Sequence, residues 1–282
     1  MITQDFEYFA PTTLTEAFGL LADPGAKALA GGMSLVPMMK LRMAAPEKLV
    51  DLRGIAELHS IRESGGVLDI GAMVTHYELE SAPLVRSKCP LLAASAAAIG
   101  DVQIRNSGTL GGSVAHADPA ADYPAALLAL EAKVRVAGPN GERVLTFEDF
   151  VLDPFTTLLE PGELVTGVLV AVEQEGVGTH YQKHAQPASG FPMVGVAARI
   201  GLTNGAVSFA RVAVTGLSGK GYRARNVEAA LLSGANPKKA CEALSEGIEA
   251  SSDIHASAEY RAHLARVSGA RAIAKATEKA KR

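Results

Sequence analysis

Two glycine-centred segments constrain this chain more than any other feature: Ala30-Gly31-Gly32-Met33-Ser34-Leu35 and Thr109-Leu110-Gly111-Gly112-Ser113. Each is flanked by apolar residues, so each falls where a buried element gives way to closely approached backbone. Glycine reaches positive φ and admits a neighbour to contact distance, while the adjoining hydroxyl adds a donor. One such segment is commonly a structural turn. Two in the first half of a chain, with the polar run from His116 to Asp122 behind the second, point to a diphosphate held from two sides.

The remaining composition narrows the class. A chain of 282 residues buries a full core and divides readily into two domains. A net charge of −3 argues against a general nucleic-acid surface. Cys89 and Cys241 are the only cysteines and lie far apart, which excludes a self-contained iron–sulfur cluster or structural zinc site and fits a reducing cytoplasm. The segment Met1 to Tyr8 carries Asp5 and Glu7 and reads as no secretory signal. The apolar run Leu91 to Ile99 is too short to span a bilayer, so a soluble, cytoplasmic protein is expected.

Periodicity and turn residues predict the elements. Leu14 to Leu21 reads as a helix capped by Thr12-Thr13 and stopped by Asp23-Pro24-Gly25, followed by a strand over Ala26 to Leu29. Pro37 to Arg42 reads as a short helix, and strands are expected at 49–52 and 67–72. Thr75 is placed as a cap, with helices over Leu91 to Ile99 and Tyr123 to Leu130. Asp118-Pro119 reads as the start of the latter helical region, with Asp118 as its cap. Strands follow over Lys133 to Val136, Glu163 to Val172, Thr179 to Lys183, Met193 to Leu202 and Ala206 to Gly216, with a hairpin turn at Thr203-Asn204-Gly205. From Val227 the chain reads as helical to its end. Residues 261–282 carry seven Lys or Arg against the single acid Glu278, usually the mark of a solvated face.

The usual nucleotide motifs are missing. Gly219-Lys220 is followed by Gly221 rather than Ser or Thr, and no G-x-G-x-x-G opens a helix. The seven histidines show no metal-ligand spacing, and no nucleophile elbow or catalytic carboxylate pair stands out. His76 reads as structural, and His116 as either a loop histidine or a ligand contact. Lys183 and Phe191 read first as a solvent-facing strand lysine and a core phenylalanine, and second as groups beside a redox cofactor.

The ordered motifs resemble those of one family. Ala30-Gly31-Gly32-x-Ser34-Leu35 with Pro37 and Lys40-x-Arg42 is similar to the FAD-binding medium subunit of molybdenum hydroxylases, the carbon-monoxide dehydrogenase and xanthine dehydrogenase flavoproteins. So are Ile70-Gly71-Ala72-x-x-Thr75-His76, the run from Arg105-Asn106 through Gly108-Thr109-Leu110-Gly111-Gly112 to His116-x-Asp118-Pro119-x-x-Asp122, and Glu259-Tyr260-Arg261. The similarity covers essentially the whole chain. It implies an α+β fold: a vanillyl-alcohol-oxidase (PCMH)-type FAD-binding domain over residues 1–174, with lobes of about 1–55 and 56–174. A C-terminal domain over 175–282, with a three-stranded antiparallel sheet and helices, would follow. By position, Leu29, Ala30, Gly31, Gly32, Met33, Ser34, Leu35 and Val36 would hold the pyrophosphate together with Thr109, Leu110, Gly111, Gly112 and Ser113. Gly100 would lie near the cofactor, Asp122 would take a polar FAD contact, and Val165 would line the pocket by backbone or apolar contact. Lys183 would approach the flavin, and Phe191 would stand beside the isoalloxazine. Two positions depart from the pattern. Met33 stands where relatives commonly carry His, Asn, Gln or Thr, and Pro187 stands where many have arginine.

The function implied is electron transfer. A large molybdenum-cofactor subunit would oxidise a substrate, a small iron–sulfur subunit would pass on the electrons, and this chain's FAD would deliver them to quinone, oxygen or NAD, in a dimer of heterotrimers. Two alternatives stay open: a stand-alone FAD-dependent oxidoreductase of the same superfamily, and a flavin-free scaffold subunit. The stretch Met38 to Arg42 leans toward the carbon-monoxide dehydrogenase branch, while carbon monoxide, purines, N-heterocycles and aldehydes all remain open as the assembly's substrate.

Overall fold

The computed structural model describes residues 2–281. Strand β1 (Glu7–Phe9) leads into α1 (Leu14–Leu21), which begins where the Thr13 hydroxyl accepts from the Glu16 N–H. β2 (Ala26–Leu29), α2 (Leu35–Lys40) and β3 (Lys48–Asp51) follow, and the three strands form a parallel sheet in the order β1-β3-β2. The first glycine segment therefore leaves the carboxyl end of a parallel strand, the edge at which such sheets present loops to ligands.

A second lobe starts with β4 (Ile61–Ser64) and β5 (Val67–Gly71). Six helices come next: α3 (His76–Ser81), α4 (Pro83–Lys88), α5 (Pro90–Ala97), α6 (Val102–Ser107), α7 (Leu110–His116) and α8 (Tyr123–Ala129). Thr75 and Glu78 form a reciprocal capping box at the start of α3. Then come β6 (Lys133–Gly138), β7 (Gly141–Thr146), α9 (Phe147–Phe150), the small hairpin β8 (Val151–Asp153) and β9 (Thr156–Thr157), and β10 (Leu164–Ala171). The sheet here is antiparallel, ordered β4-β5-β10-β6-β7.

The last third is built on three long antiparallel strands, β11 (Val177–Ala185), β12 (Pro192–Thr203) and β13 (Ala206–Thr215), with the two-residue β14 (Tyr222–Arg223) at the edge. α10 (Arg225–Leu232), α11 (Pro237–Ala240) and the long α12 (Ala258–Ala280) complete the chain. β12 is buried on both faces, and its alternation explains why. Ala197 joins Tyr181 and Ala213 in the core shared with the first two sheets, whereas Val194, Val196, Ala198 and Ile200 face a second core with Ala272 and Ile273 of α12.

Three expectations are corrected. The chain is not helical from Val227 to its end, because turns and irregular backbone occupy 245–257, where Gly247 takes a positive φ and Asp253 accepts from two following N–H groups. Asp118 caps no helix. Its carboxylate accepts from Ala120 N–H in a turn, behind a left-handed Ala117, and α8 starts only at Tyr123 with Pro124 in its first turn. The helices α6 and α7 were not expected at all. Cys89 and Cys241 are both free and buried. Among the described residues, no helix is long and apolar enough to cross a membrane.

Candidate functional site

The two glycine segments meet. Ser107, at the end of α6, donates its hydroxyl to the Gly31 carbonyl at 2.8 Å. A Cβ on Gly31 would overlap the Ser107 carbonyl oxygen and come within 2.7 Å of Gly108 Cα, so only glycine admits this contact. From the other side, a Cβ on Gly112 would lie 3.4 Å from Ala30 Cβ. The chain turns at Gly32 with φ +71°.

The segments differ in what they offer. Among the described residues, nothing accepts from the backbone N–H of Gly31, Gly32, Met33 or Ser34, and the Ser34 hydroxyl makes no capping bond to α2. The second segment is already internally bonded. Leu110 and Gly111 N–H donate to Val74 and Ala72, and Gly112 N–H donates to the Thr109 hydroxyl that caps α7. Ser113 N–H goes to the Thr109 carbonyl. The first segment thus carries the free donors, and the second acts as a closely packed wall. Its Gly111 is required because a Cβ there would overlap the side chain of Ala72. Four consecutive free N–H groups beside serine hydroxyls suit a phosphate, which takes several donors at once.

His76 fixes the second wall from below. Its own N–H donates to the Gly108 carbonyl, and its ring Nδ1 lies 2.8 Å from the hydroxyl of the fully buried Tyr123. Burial, assisted by the nearby Arg105 charge, pushes the imidazole down to about 4, so it is neutral at neutral pH. Because the folded value lies below the ordinary 6.5, stability is intact above about pH 7. It falls as the unfolded chain takes up a proton that the folded chain refuses. We expect wild type to lose about 2 kcal/mol more than His76→Gln between pH 7.5 and pH 5, read as urea midpoints. Parallel pH profiles for the two proteins would contradict this.

Further along, a second set of contacts gathers the residues around Gly100. Arg105 donates to the carbonyls of Ile99 and Gly100 at 2.9 and 3.4 Å and is paired with Glu80 at 2.7 Å. A Cβ on Gly190 would stand 3.6 Å from Gly100 Cα, so the turn carrying Phe191 folds against it. Phe191 is no core residue; it is 46% exposed. Nor is Lys183 solvent-facing, since its ammonium donates to the Ala98 carbonyl at 2.7 Å and to Asp122 at 2.9 Å. Met33 is also exposed, while the Val165 side chain is buried in the core next to Thr166, whose carbonyl accepts from Ala72 N–H. His116 ends α7 with its ring 5.1 Å from Phe155.

The structure therefore joins Leu29–Val36 to Thr109–Ser113, and Gly100 to Lys183, Asp122 and the Phe191 turn. The Val165 side chain lies apart in the core, and the Asp122 carboxylate is taken up by Tyr181 and Lys183. Sequence reasoning missed Ser107, Arg105 and Tyr181. Tyr181 had a usable signal, because it lies two residues before Lys183 on the same face of a strand.

Comparison with known proteins agrees with this geometry. Residues 4–171 match the family described as "FAD binding domain in molybdopterin dehydrogenase", and residues 179–276 match the "CO dehydrogenase flavoprotein C-terminal domain". The chain is 39% identical over 271 residues to the carbon monoxide dehydrogenase medium chain of Hydrogenophaga pseudoflava, covering 94% of each. A solved carbon monoxide dehydrogenase from the same organism superposes with a TM-score of 0.95 at 40% identity, over 99% of both chains. Quinoline 2-oxidoreductase from Pseudomonas putida 86 superposes with a TM-score of 0.95 at 34% identity, over 100% of both chains. Paired glycine segments and whole-length similarity lead to one conclusion: the chain belongs to the FAD-binding medium subunits of the molybdenum hydroxylases.

Proposed function

We propose that this chain is the electron-transfer subunit of a carbon-monoxide dehydrogenase-like assembly. It takes electrons from a small iron–sulfur subunit and passes them to an external acceptor, while a large molybdenum-cofactor subunit oxidises the substrate. The observation that carries the reading is the run of unbonded N–H groups from Gly31 to Ser34, locked against the second glycine wall. Bound FAD supplies the capacity to join single-electron donors to a two-electron acceptor.

In this reading the segment Leu29–Val36 grips the pyrophosphate, and Thr109–Ser113 closes the adjoining side through its hydroxyls and close packing. Gly100, Lys183 and the Phe191 turn accept the flavin end, and Val165 supports α7 from the core. The division into residues 1–174 and 175–282 then places the flavin end where the two domains meet. Cys89 and Cys241 lie in separate cores and, among the described residues, no group of His, Cys, Asp or Glu is placed to hold a metal, which supports electrons arriving from another chain. Similar chains act in assemblies of differing chemistry: nicotine 6-hydroxylase of Paenarthrobacter nicotinovorans has a medium subunit 36% identical to this one. Substrate choice accordingly belongs to the large subunit. A cytoplasmic dimer of heterotrimers completes the proposal.

The test is partner dependence. The isolated full chain with FAD should not be reduced at catalytic rates by carbon monoxide, purines, N-heterocycles or aldehydes, and the assembled complex should be reduced by one of them. Rapid reduction of the isolated chain by such a compound would instead make it a stand-alone oxidoreductase.

A further inference from the structure

Asp122 stands at the N-cap of α8, where an aspartate ordinarily accepts from the first N–H groups of the helix, yet it makes no capping bond. Its carboxylate, on a residue only 4% exposed, is committed across the fold to β11 instead. It accepts from the Tyr181 hydroxyl at 2.7 Å and from Lys183 Nζ at 2.9 Å. Lys183 Nζ also donates to the Ala98 carbonyl at 2.7 Å, which leaves one of its three N–H donors uncommitted two residues from Gly100. Tyr181 is itself clamped, since a Cβ on Gly195 would overlap its hydroxyl.

Burying an ion pair is costly, and apolar replacements of the same shape are often as stable. The pair's place against the Ala98 carbonyl, two residues from Gly100, supplies a reason to retain it. We propose that Asp122 is a positioning residue that acts on FAD through Lys183. Held by Tyr181, it fixes the ammonium in place and offsets part of its charge, and the pair thereby sets the reduction potential of the bound flavin. This rests on the reading that Lys183 faces the flavin end of FAD. A lone ammonium there favours the reduced cofactor, which carries more negative charge than the oxidised one. A carboxylate against that ammonium opposes the effect.

The test measures the potential of FAD bound to the full chain, by equilibration with a reference dye. Asp122→Asn should raise the affinity ratio of reduced to oxidised FAD about tenfold, roughly 30 mV for a two-electron couple. Lys183→Met should lower it by a similar factor, and the double variant should stay within about threefold of Lys183→Met, because the carboxylate acts only through the ammonium. If Asp122→Asn does not fold, Tyr181→Phe, which removes the hydroxyl that holds the same carboxylate, should shift the potential in the same direction as expected for Asp122→Asn. Asp122 as a direct ligand would bind both redox forms alike, so its loss would weaken FAD binding and leave the potential unmoved. That result, or shifts of the same sign in both single variants, would overturn the proposal. Failure of wild type to bind any FAD would overturn the reading beneath it.

Discussion

Gly31→Ala should lose FAD while remaining folded. The new methyl group would meet the Ser107 carbonyl and Gly108 Cα, both backbone atoms that cannot swing aside as a flexible side chain would. The two glycine segments must then separate by the better part of an ångström, breaking the Ser107–Gly31 hydrogen bond and misaligning the N–H groups from Gly31 to Ser34. A site that relies on several short donors loses them together, so we expect FAD affinity to fall by at least about 100-fold, near 2.7 kcal/mol. Flavin fluorescence titration reads this directly. Gly19→Ala is the matched control: it lies within α1 with open space around its Cβ position, and the substitution should leave FAD binding unchanged while adding up to about 1 kcal/mol of helix stability. Wild-type FAD affinity in Gly31→Ala would show that the junction of the two segments is not the phosphate site.

Arg261 governs the largest expected stability change. From the first turn of α12 its guanidinium donates to the carbonyls of Met193 and Gly216 at 2.9 and 3.1 Å and pairs with Asp253 at 2.6 Å. The residue is 6% exposed, so water cannot replace those bonds, whereas Asp253 is partly solvated and loses less. Arg261→Met keeps the length and apolar stem but orphans two buried carbonyls, at a cost of about 2–4 kcal/mol. For a chain of this size the thermal midpoint should fall by roughly 5–12 °C. Arg261→Lys should recover little, because a point charge cannot reach three acceptors arranged around a planar fork. An unchanged midpoint in Arg261→Met would refute this account of how α12 is tied to the third sheet.

Much of the fold was legible locally. α1 and β2 begin and end where Thr13 and the Asp23-Pro24-Gly25 turn predict, and Thr75 caps α3 as expected. What local reasoning misread were segments whose composition is ambiguous. Gly111 and Gly112 are poor helix formers and read as loop, yet both lie in the first turn of α7, where the Thr109 hydroxyl supplies the cap. Asp118-Pro119 carries the residues of a helix start but closes a separate turn. The site divides in the same way. Both glycine segments were visible as motifs, but their contact depends on α6 delivering Ser107 across 76 residues. The Asp122–Lys183 and His76–Tyr123 pairs span 61 and 47 residues and are created only by packing. The division of labour between the two glycine segments is partly tertiary, since the turn after β5 provides the Ala72 and Val74 carbonyls that occupy Gly111 and Leu110 N–H, while Thr109 holds Gly112 and Ser113 locally.

The most direct measurement is the absorption spectrum of the native, untagged protein, with released flavin identified by chromatography. Non-covalent FAD at about one per chain is expected, accompanied by iron–sulfur absorbance from co-purifying subunits. A protein that carries no flavin, and takes up none when FAD is added, would contradict this expectation.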